Sequence, residues 1–281
     1  MTLETRTLVQ IAAQQTRKDF RPPIGEANWV FYRPEHTHED LSAFYNIFAQ
    51  IRSGLNCPKA SFLDCGSGDG IAALTASGAG FETVYGIEKN RTLLEKARSN
   101  LSAYTKQRKN PGNINFLHGS YYELLPNTPE VVDQARQELI SLYEQDGIFY
   151  SPKPENYAQA LLGTEEDSST IDDLLRNYLF TDRTSRPKRP GIIKRGQLTV
   201  DVIYIYPSDV FFNNVFLPRI GKIMKEGSLL TILTPEDDPV RVKSGSLQEK
   251  KSFPFSNHSG ISMILQVFQK KPRLDFSSPR I

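Results

Sequence analysis

The sequence predicts an α/β fold, a doubly wound and mostly parallel sheet flanked by helices. Three observations predict it. The apolar run Phe62-Leu63 ends in Asp64 and passes into Gly66, Gly68 and Gly70 at alternate positions. A helical segment follows, then a second apolar run, Val84-Tyr85-Gly86-Ile87, ending in Glu88, eighteen residues past Gly70. Further strand-length apolar runs then alternate with helical patterns, as in successive βαβ units.

The elements follow in order. Leu3 to Gln15 has helical spacing through Leu8, Ile11 and Ala12, and Arg21-Pro22-Pro23-Ile24-Gly25 breaks the chain. Leu41, Phe44, Tyr45, Phe48 and Ile51 mark a helix over residues 41–51. Residues 60–64 form the first core strand, 71–77 the helix behind it and 83–88 the second strand. Asn90 caps a helix that buries Leu93, Leu94, Ala97 and Leu101. Residues 113–117 give the third strand. Residues 198–206, apolar at Val200, Val202, Ile203 and Ile205, read as a fourth strand buried on both faces. A helix over 213–224 stops at Gly227. A fifth strand covers 228–233, and a last strand over 261–269 pairs with 252–255.

The connection between the third and fourth strands is too long to be structureless in a compact domain. Pro129, Val131, Val132, Ala135, Leu139 and Leu142 predict one helix in it, and Ile171, Leu174, Leu175, Tyr178 and Leu179 predict another. The expected organisation is an N-terminal helical segment (1–59) covering the cofactor site, a core in two pieces (60–125 and 197–271), an inserted helical subdomain with a basic loop (126–196) and a disordered tail (272–281).

Composition narrows the function. The 281 residues are 38 % hydrophobic and 23 % charged, as in ordinary globular protein. A net charge of +2 is no global nucleic-acid signature. Only Arg183 to Arg195 is strongly basic, which reads as a solvated loop or as a weak contact with nucleic-acid phosphates. Two cysteines, Cys57 and Cys65, make neither a disulfide framework nor a zinc site, so a reducing, cytoplasmic setting is expected. No apolar run is long enough to span a membrane. The acids and histidines from Glu35 to Asp40 lack a third ligand at useful spacing, and read as a charged helix start rather than a metal site.

The glycine turn also restricts the ligand. Glycine has no Cβ, so the backbone bends sharply and comes close to a bound molecule. An acid about 20 residues further on can accept from both ribose hydroxyls. A dinucleotide site uses G-x-G-x-x-G against a pyrophosphate. Here the pattern is D-x-G-x-G-x-G, and Asp64 and Asp69 would repel a pyrophosphate. They favour a ligand that carries an ammonium and a sulfonium.

Asp64-Cys65-Gly66-Ser67-Gly68-Asp69-Gly70 with Gly86-Ile87-Glu88 resembles the first motifs of the class I S-adenosylmethionine (SAM) methyltransferases. The resemblance implies a seven-stranded sheet, SAM as cofactor, Asp64, Gly66, Ser67, Gly68 and Gly70 around it, and Glu88 on its ribose. After the third strand, many members place an Asp on the adenine amino group. Here Ser120 stands in as acceptor and Tyr121 as a stacking ring. Tyr32-Arg33-Pro34 and the Ile203-Tyr204-Ile205-Tyr206-Pro207 ending add a narrower likeness, to the small Dot1-like protein-lysine methyltransferases of the ATP synthase c-subunit type. That likeness implies a Tyr32 segment folded over SAM and a protein lysine as acceptor. Glu35-His36, where a Thr-Pro pair is usual, and the long insertion depart from it.

Methyl transfer requires the donor and acceptor held in line and a nucleophile that has lost its proton. The acceptor enters at the end of the fourth strand, which reads Tyr206-Pro207-Ser208-Asp209 instead of the N/D-P-P-Y of many amine-directed enzymes. Tyr206 is expected to wall the methyl channel and Asp209 to pair with a cationic acceptor. The plainer alternative is a packing Tyr206 and an Asp209 that caps the next helix. The leading expectation is a SAM-dependent methyltransferase acting on a protein amine. An RNA or DNA methyltransferase, a small-molecule methyltransferase and a catalytically silent SAM-binding protein are the alternatives.

Overall fold

The computed structural model describes residues 38–108, 110–125, 137, 192–194, 196–206, 216–237, 239–242, 245–256 and 262–272. Helix α1 is His38–Ser53, β1 Ser61–Cys65, α2 Ile71–Gly78, β2 Thr83–Glu88, α3 Arg91–Gln107 and β3 Asn113–His118. A 3₁₀ turn, Tyr121–Leu124, follows. Then come β4 Ile193–Lys194, β5 Gln197–Leu198, β6 Val202–Ile205, α4 Leu217–Ile223, β7 Leu229–Pro235, β8 Leu247–Ser256 and β9 Ser262–Lys270.

Seven of these strands form one sheet in the order β3-β2-β1-β6-β7-β9-β8. The pairs β3–β2, β2–β1, β1–β6 and β6–β7 are parallel, whereas β9 runs antiparallel to both β7 and β8. The sheet is therefore mostly parallel and doubly wound, as the sequence predicts. Its strand order reverses between β1 and β6, the place where ligands bind in open α/β sheets.

Side chains that alternate along the strands feed two cores. Phe62, Val84, Val202 and Tyr204 pack against Phe44, Ile47, Phe48 and Ile51 of α1 and Ala73 and Ala76 of α2. Leu63, Cys65, Ile203 and Ile205 turn to the other face, against Phe216 and α4. Aromatic rings tie α1 down, since Phe48 lies edge-on to Phe62 at 5.1 Å and to Tyr204 at 5.5 Å. Leu41 clusters with Ile71 and Leu74 at the start of α2. Arg52, one helix length later, donates to the carbonyls of Gly80 (3.0 Å) and Pro58 (2.8 Å) at the opposite end of the sheet. The chain therefore enters α1 beside the start of α2, at the carboxyl ends of the parallel strands.

The fourth core strand is shorter than its apolar pattern suggests. Strand β6 begins at Val202, and Gln197–Leu198 pairs instead with Ile193–Lys194 in a two-stranded ribbon turned at Gly196. Asp201 is the physical reason. Its carboxylate accepts from the Ser61 N–H (2.8 Å) and hydroxyl (2.7 Å) and from Lys225, so the ladder between β1 and β6 starts one residue later. Helix α4 ends at Ile223, and Gly227, with φ 76°, serves the turn before β7 rather than the helix end itself. The helices expected at residues 3–15 and in the insertion, apart from helical Gln137, and the tail from 273 lie outside the described residues.

Candidate functional site

The glycine turn joins β1 to α2 at the carboxyl edge of the sheet. Gly66, Gly68 and Gly70 all have positive φ (78°, 54° and 83°), which a residue with a Cβ adopts only at a cost. The Gly66 and Ser67 N–H groups both donate to the Ile87 carbonyl at 2.9 Å, and Gly70 N–H donates to the Ser67 carbonyl at 2.8 Å. The turn is thereby fastened to the end of β2. The glycines differ in what surrounds them. A Cβ on Gly70 would sit 2.5 Å from the Phe116 ring, and one on Gly86 would meet that ring at 2.5 Å and Ser67 Oγ at 2.8 Å. A Cβ on Gly68 would meet nothing within 4 Å among the described residues. Gly70 and Gly86 thus serve close packing between turn, β2 and β3, whereas the space beside Gly68 is clear of described residues.

Three acids converge on this turn. Asp64 is buried, and its Oδ2 has no hydrogen-bond partner among the described residues, nor has buried Ser67 Oγ. Burial, then the neighbouring Glu88 and Asp69 charges, push the Asp64 carboxyl up to about 8, against a donated Ala73 N–H. Glu88 Oε2 accepts from Gly68 N–H and Oε1 from Asn90 N–H, both at 2.8 Å. Burial raises its carboxyl as well, while those two N–H groups and Lys89 oppose the rise. A carboxylate has about four lone-pair sites, so each Glu88 oxygen can also accept a hydroxyl. Asp69 Oδ1 takes the Ile71 N–H at 3.3 Å, at the start of α2.

The other expected residues fall around this centre. Ser120 is buried at the head of the 3₁₀ turn, where its Oγ accepts from Tyr122 N–H (3.3 Å) and its own N–H donates to Glu123 Oε1 (3.0 Å). That reciprocal cap uses one lone pair of the hydroxyl expected to face adenine and leaves its second lone pair. Tyr121 stacks on Tyr122 at 4.6 Å and meets Phe216 edge-on at 5.1 Å. Its ring edge would lie 3.9 Å from a Cβ on Gly66, so it borders the turn. Tyr206 follows β6 directly, half-buried against the α1 side of the core. Tyr204 lies in register with Asp64, and burial, then Asp64 and Tyr206, hold its hydroxyl well above the usual tyrosine range. Tyr32, Asp209 and, apart from residues 192–194, the basic stretch Arg183 to Arg195 lie outside the described residues.

Two contributors carry no motif. Phe116 of β3 fills the space beneath Gly70 and Gly86. Asn100 of α3 is fully buried and donates to the Asp69 carbonyl at 2.8 Å. A polar residue on the apolar face of a predicted helix is the one sequence signal that marks it.

No protein-family model and no curated protein matches the chain. Among solved structures, it is similar to a proposed RNA methyltransferase from Pyrococcus horikoshii, at 11 % identity and TM-score 0.49 over 97 % of this chain and 100 % of that one. It is also similar to an O-methyltransferase from Bacillus cereus in complex with SAH, at 12 % identity and TM-score 0.43 over 96 % of this chain and 92 % of that one. A third is TrmN from Thermus thermophilus, at 15 % identity and TM-score 0.44 over 90 % of this chain and 54 % of that one.

Proposed function

We propose that the chain is a SAM-dependent methyltransferase whose cofactor lies against the Gly66–Gly70 turn. One observation carries the reading. Among the described residues, a buried carboxyl with an unpartnered oxygen, Asp64, sits with Glu88 and Asp69 around a turn whose middle glycine faces open space. Such an acid cluster suits a ligand with a sulfonium and an ammonium and disfavours a pyrophosphate. The residues present fit the cofactor on that ground. When bound, it supplies an electrophilic methyl group.

The chain's own residues supply the rest. Glu88 accepts from the ribose hydroxyls while keeping Gly68 N–H in place. Asp69 offsets the cofactor's positive charge, and Asp64 joins it once it has released its proton. Tyr121 borders the adenosine side. Tyr206 stands at the end of β6 and excludes water from the acceptor's path, which favours in-line attack.

For the acceptor, the reading we put first is RNA or a small molecule. The basic run Arg183 to Arg195, which reaches the exposed Lys194 of β4, supports a phosphate-bearing acceptor. A protein lysine is the second reading, and it rests on Tyr32-Arg33-Pro34 and the Ile203-Tyr204-Ile205-Tyr206-Pro207 ending. Transfer of radiolabelled methyl groups to a fractionated lysate, followed by nuclease or protease digestion, tests this. Label released by nuclease or found among small molecules is expected. Label in protein would restore the lysine reading, and SAM binding without transfer would make the chain a silent binder.

A further inference from the structure

The geometry points to Asn100 as a positioning residue that holds the glycine turn in its binding shape through the Asp69 carbonyl. The inference rests on the reading of that turn as the cofactor site.

Asn100 lies in the middle of α3, on the face that also buries Leu93, Leu94, Ala97 and Tyr104. An amide on such a face is costly to bury unless it is bonded. Its side chain is fully buried, and Nδ2 donates to the Asp69 carbonyl at 2.8 Å, across 31 residues of chain. That carbonyl belongs to the peptide between Asp69 and Gly70, inside the turn, and both flanking glycines have left-handed backbone.

The remaining backbone links of the turn run to other places. Gly66 and Ser67 N–H reach Ile87, Gly68 N–H reaches Glu88, and Gly70 N–H closes back on Ser67. The first three links hold the start of the turn against β2, and the Gly70 N–H holds one side of the Asp69–Gly70 peptide. Asn100 holds the carbonyl side of that peptide against α3. Without its donor the carbonyl loses its tie to α3, and the peptide can tilt about the Gly70 N–H, since Gly70 has no Cβ to resist it. Such a tilt would shift the Asp69 carboxyl and the adjoining Gly68 backbone, the two parts of the turn that face the ligand. Asn100 therefore acts on the cofactor through the turn and touches no reacting atom.

Two variants test this, with S-adenosylhomocysteine as the calorimetric probe and the wild-type chain as reference. Asn100→Leu keeps the volume and the helix but removes the donor. Its melting temperature should stay within about 5 °C of wild type, while the dissociation constant should rise about tenfold or more. Asn100→Asp keeps the shape. At about pH 9.5, above the value to which burial pushes Asp64, its carboxylate should repel the Asp69 carbonyl and weaken binding by a similar factor. At about pH 5.5 the buried acid should be protonated and able to donate, so the ratio to wild-type affinity at the same pH should recover. A purely structural role would move stability and leave the affinity of the folded variant alone. Folded Asn100→Leu with wild-type affinity overturns the inference, and so does an Asn100→Asp ratio that ignores pH. If Asn100→Leu fails to fold, the Asn100→Asp ratio decides alone. A wild-type chain that does not bind the probe overturns the functional reading, and this inference with it.

Discussion

Replacing Asp64 with Asn should make the protein more stable at alkaline pH than it is now, and the gain should grow with pH. The Asp64 carboxyl is pushed from 3.8 up to about 8, chiefly by burial and then by Glu88 and Asp69. The sign follows directly. Between these two values the folded protein keeps a proton that the unfolded chain has released, so stability falls as pH rises. The slope is about 1.4 kcal/mol per pH unit for one group. The contribution is fully present below pH 3.8 and is lost as pH climbs through about 8. Between pH 6 and pH 8 the loss integrates to about 2 kcal/mol. Asn cannot titrate, and its carbonyl can still accept the Ala73 N–H. The difference in melting temperature between Asp64→Asn and wild type should therefore widen by about 4–8 °C from pH 6 to pH 8. Taking the difference removes every group the two proteins share. Thermal unfolding followed by circular dichroism without cofactor is the assay. Parallel curves across that range would show that Asp64 is ionised throughout, and the buried-acid argument would fail. The same variant should bind SAM more weakly at pH 8, having lost the charge that faces the cation.

Gly68→Ala and Gly70→Ala should separate binding from folding. The first meets open space and costs only left-handed strain of about 1–2 kcal/mol, but places a methyl where the cofactor approaches. The second also drives a Cβ to 2.5 Å from Phe116 and should cost about 2–4 kcal/mol. Melting and SAM titration of both variants would contradict the assignment if their order were reversed. Asp201→Ala strands the Ser61 donors and Lys225, and should cost about 1–2 kcal/mol at neutral pH. Burial tends to raise the Asp201 carboxyl, but hydrogen bonds from Lys225 and Ser61 and the Lys225 charge bring it below the usual value. The variant's deficit should thus shrink as pH falls through that lowered value, and urea titrations with a pH-independent deficit would count against the clip. Tyr206→Ala should leave SAM affinity within a few fold and lower turnover by about 10²-fold; undiminished turnover on the true acceptor would remove Tyr206 from the acceptor path.

Legibility in the sequence followed the range of the interactions. Strand β2 has the residues expected of it, and Asn90 caps α3 through Thr92 and Leu93 N–H as its position suggests, because runs and caps are local. The apolar run 198–206 concealed a break, since Asp201 reads as one polar residue in a strand until its carboxylate meets Ser61 across 140 residues. Ser120 was legible in a way the motif comparison obscured. Ser120-Tyr121-Tyr122-Glu123 has the spacing of a capping box, and the chain uses it as one. The glycine turn and Glu88 stood out because their chemistry is written in residue type and spacing. Phe116 and Asn100 did not, because what they do depends on which partner the sheet order brings beside them.

The central claim is that the Gly66–Gly70 turn and Glu88 hold SAM. Titrating SAM calorimetrically into the wild-type chain and into Glu88→Ala tests it most directly, with circular dichroism to show that both are folded. The account predicts saturable binding to wild type at one site, and a loss of about 1.5–3 kcal/mol in the variant, roughly 10- to 100-fold, from removing a charged acceptor. Equal affinity in the two proteins, or no binding to the wild-type chain, would contradict it.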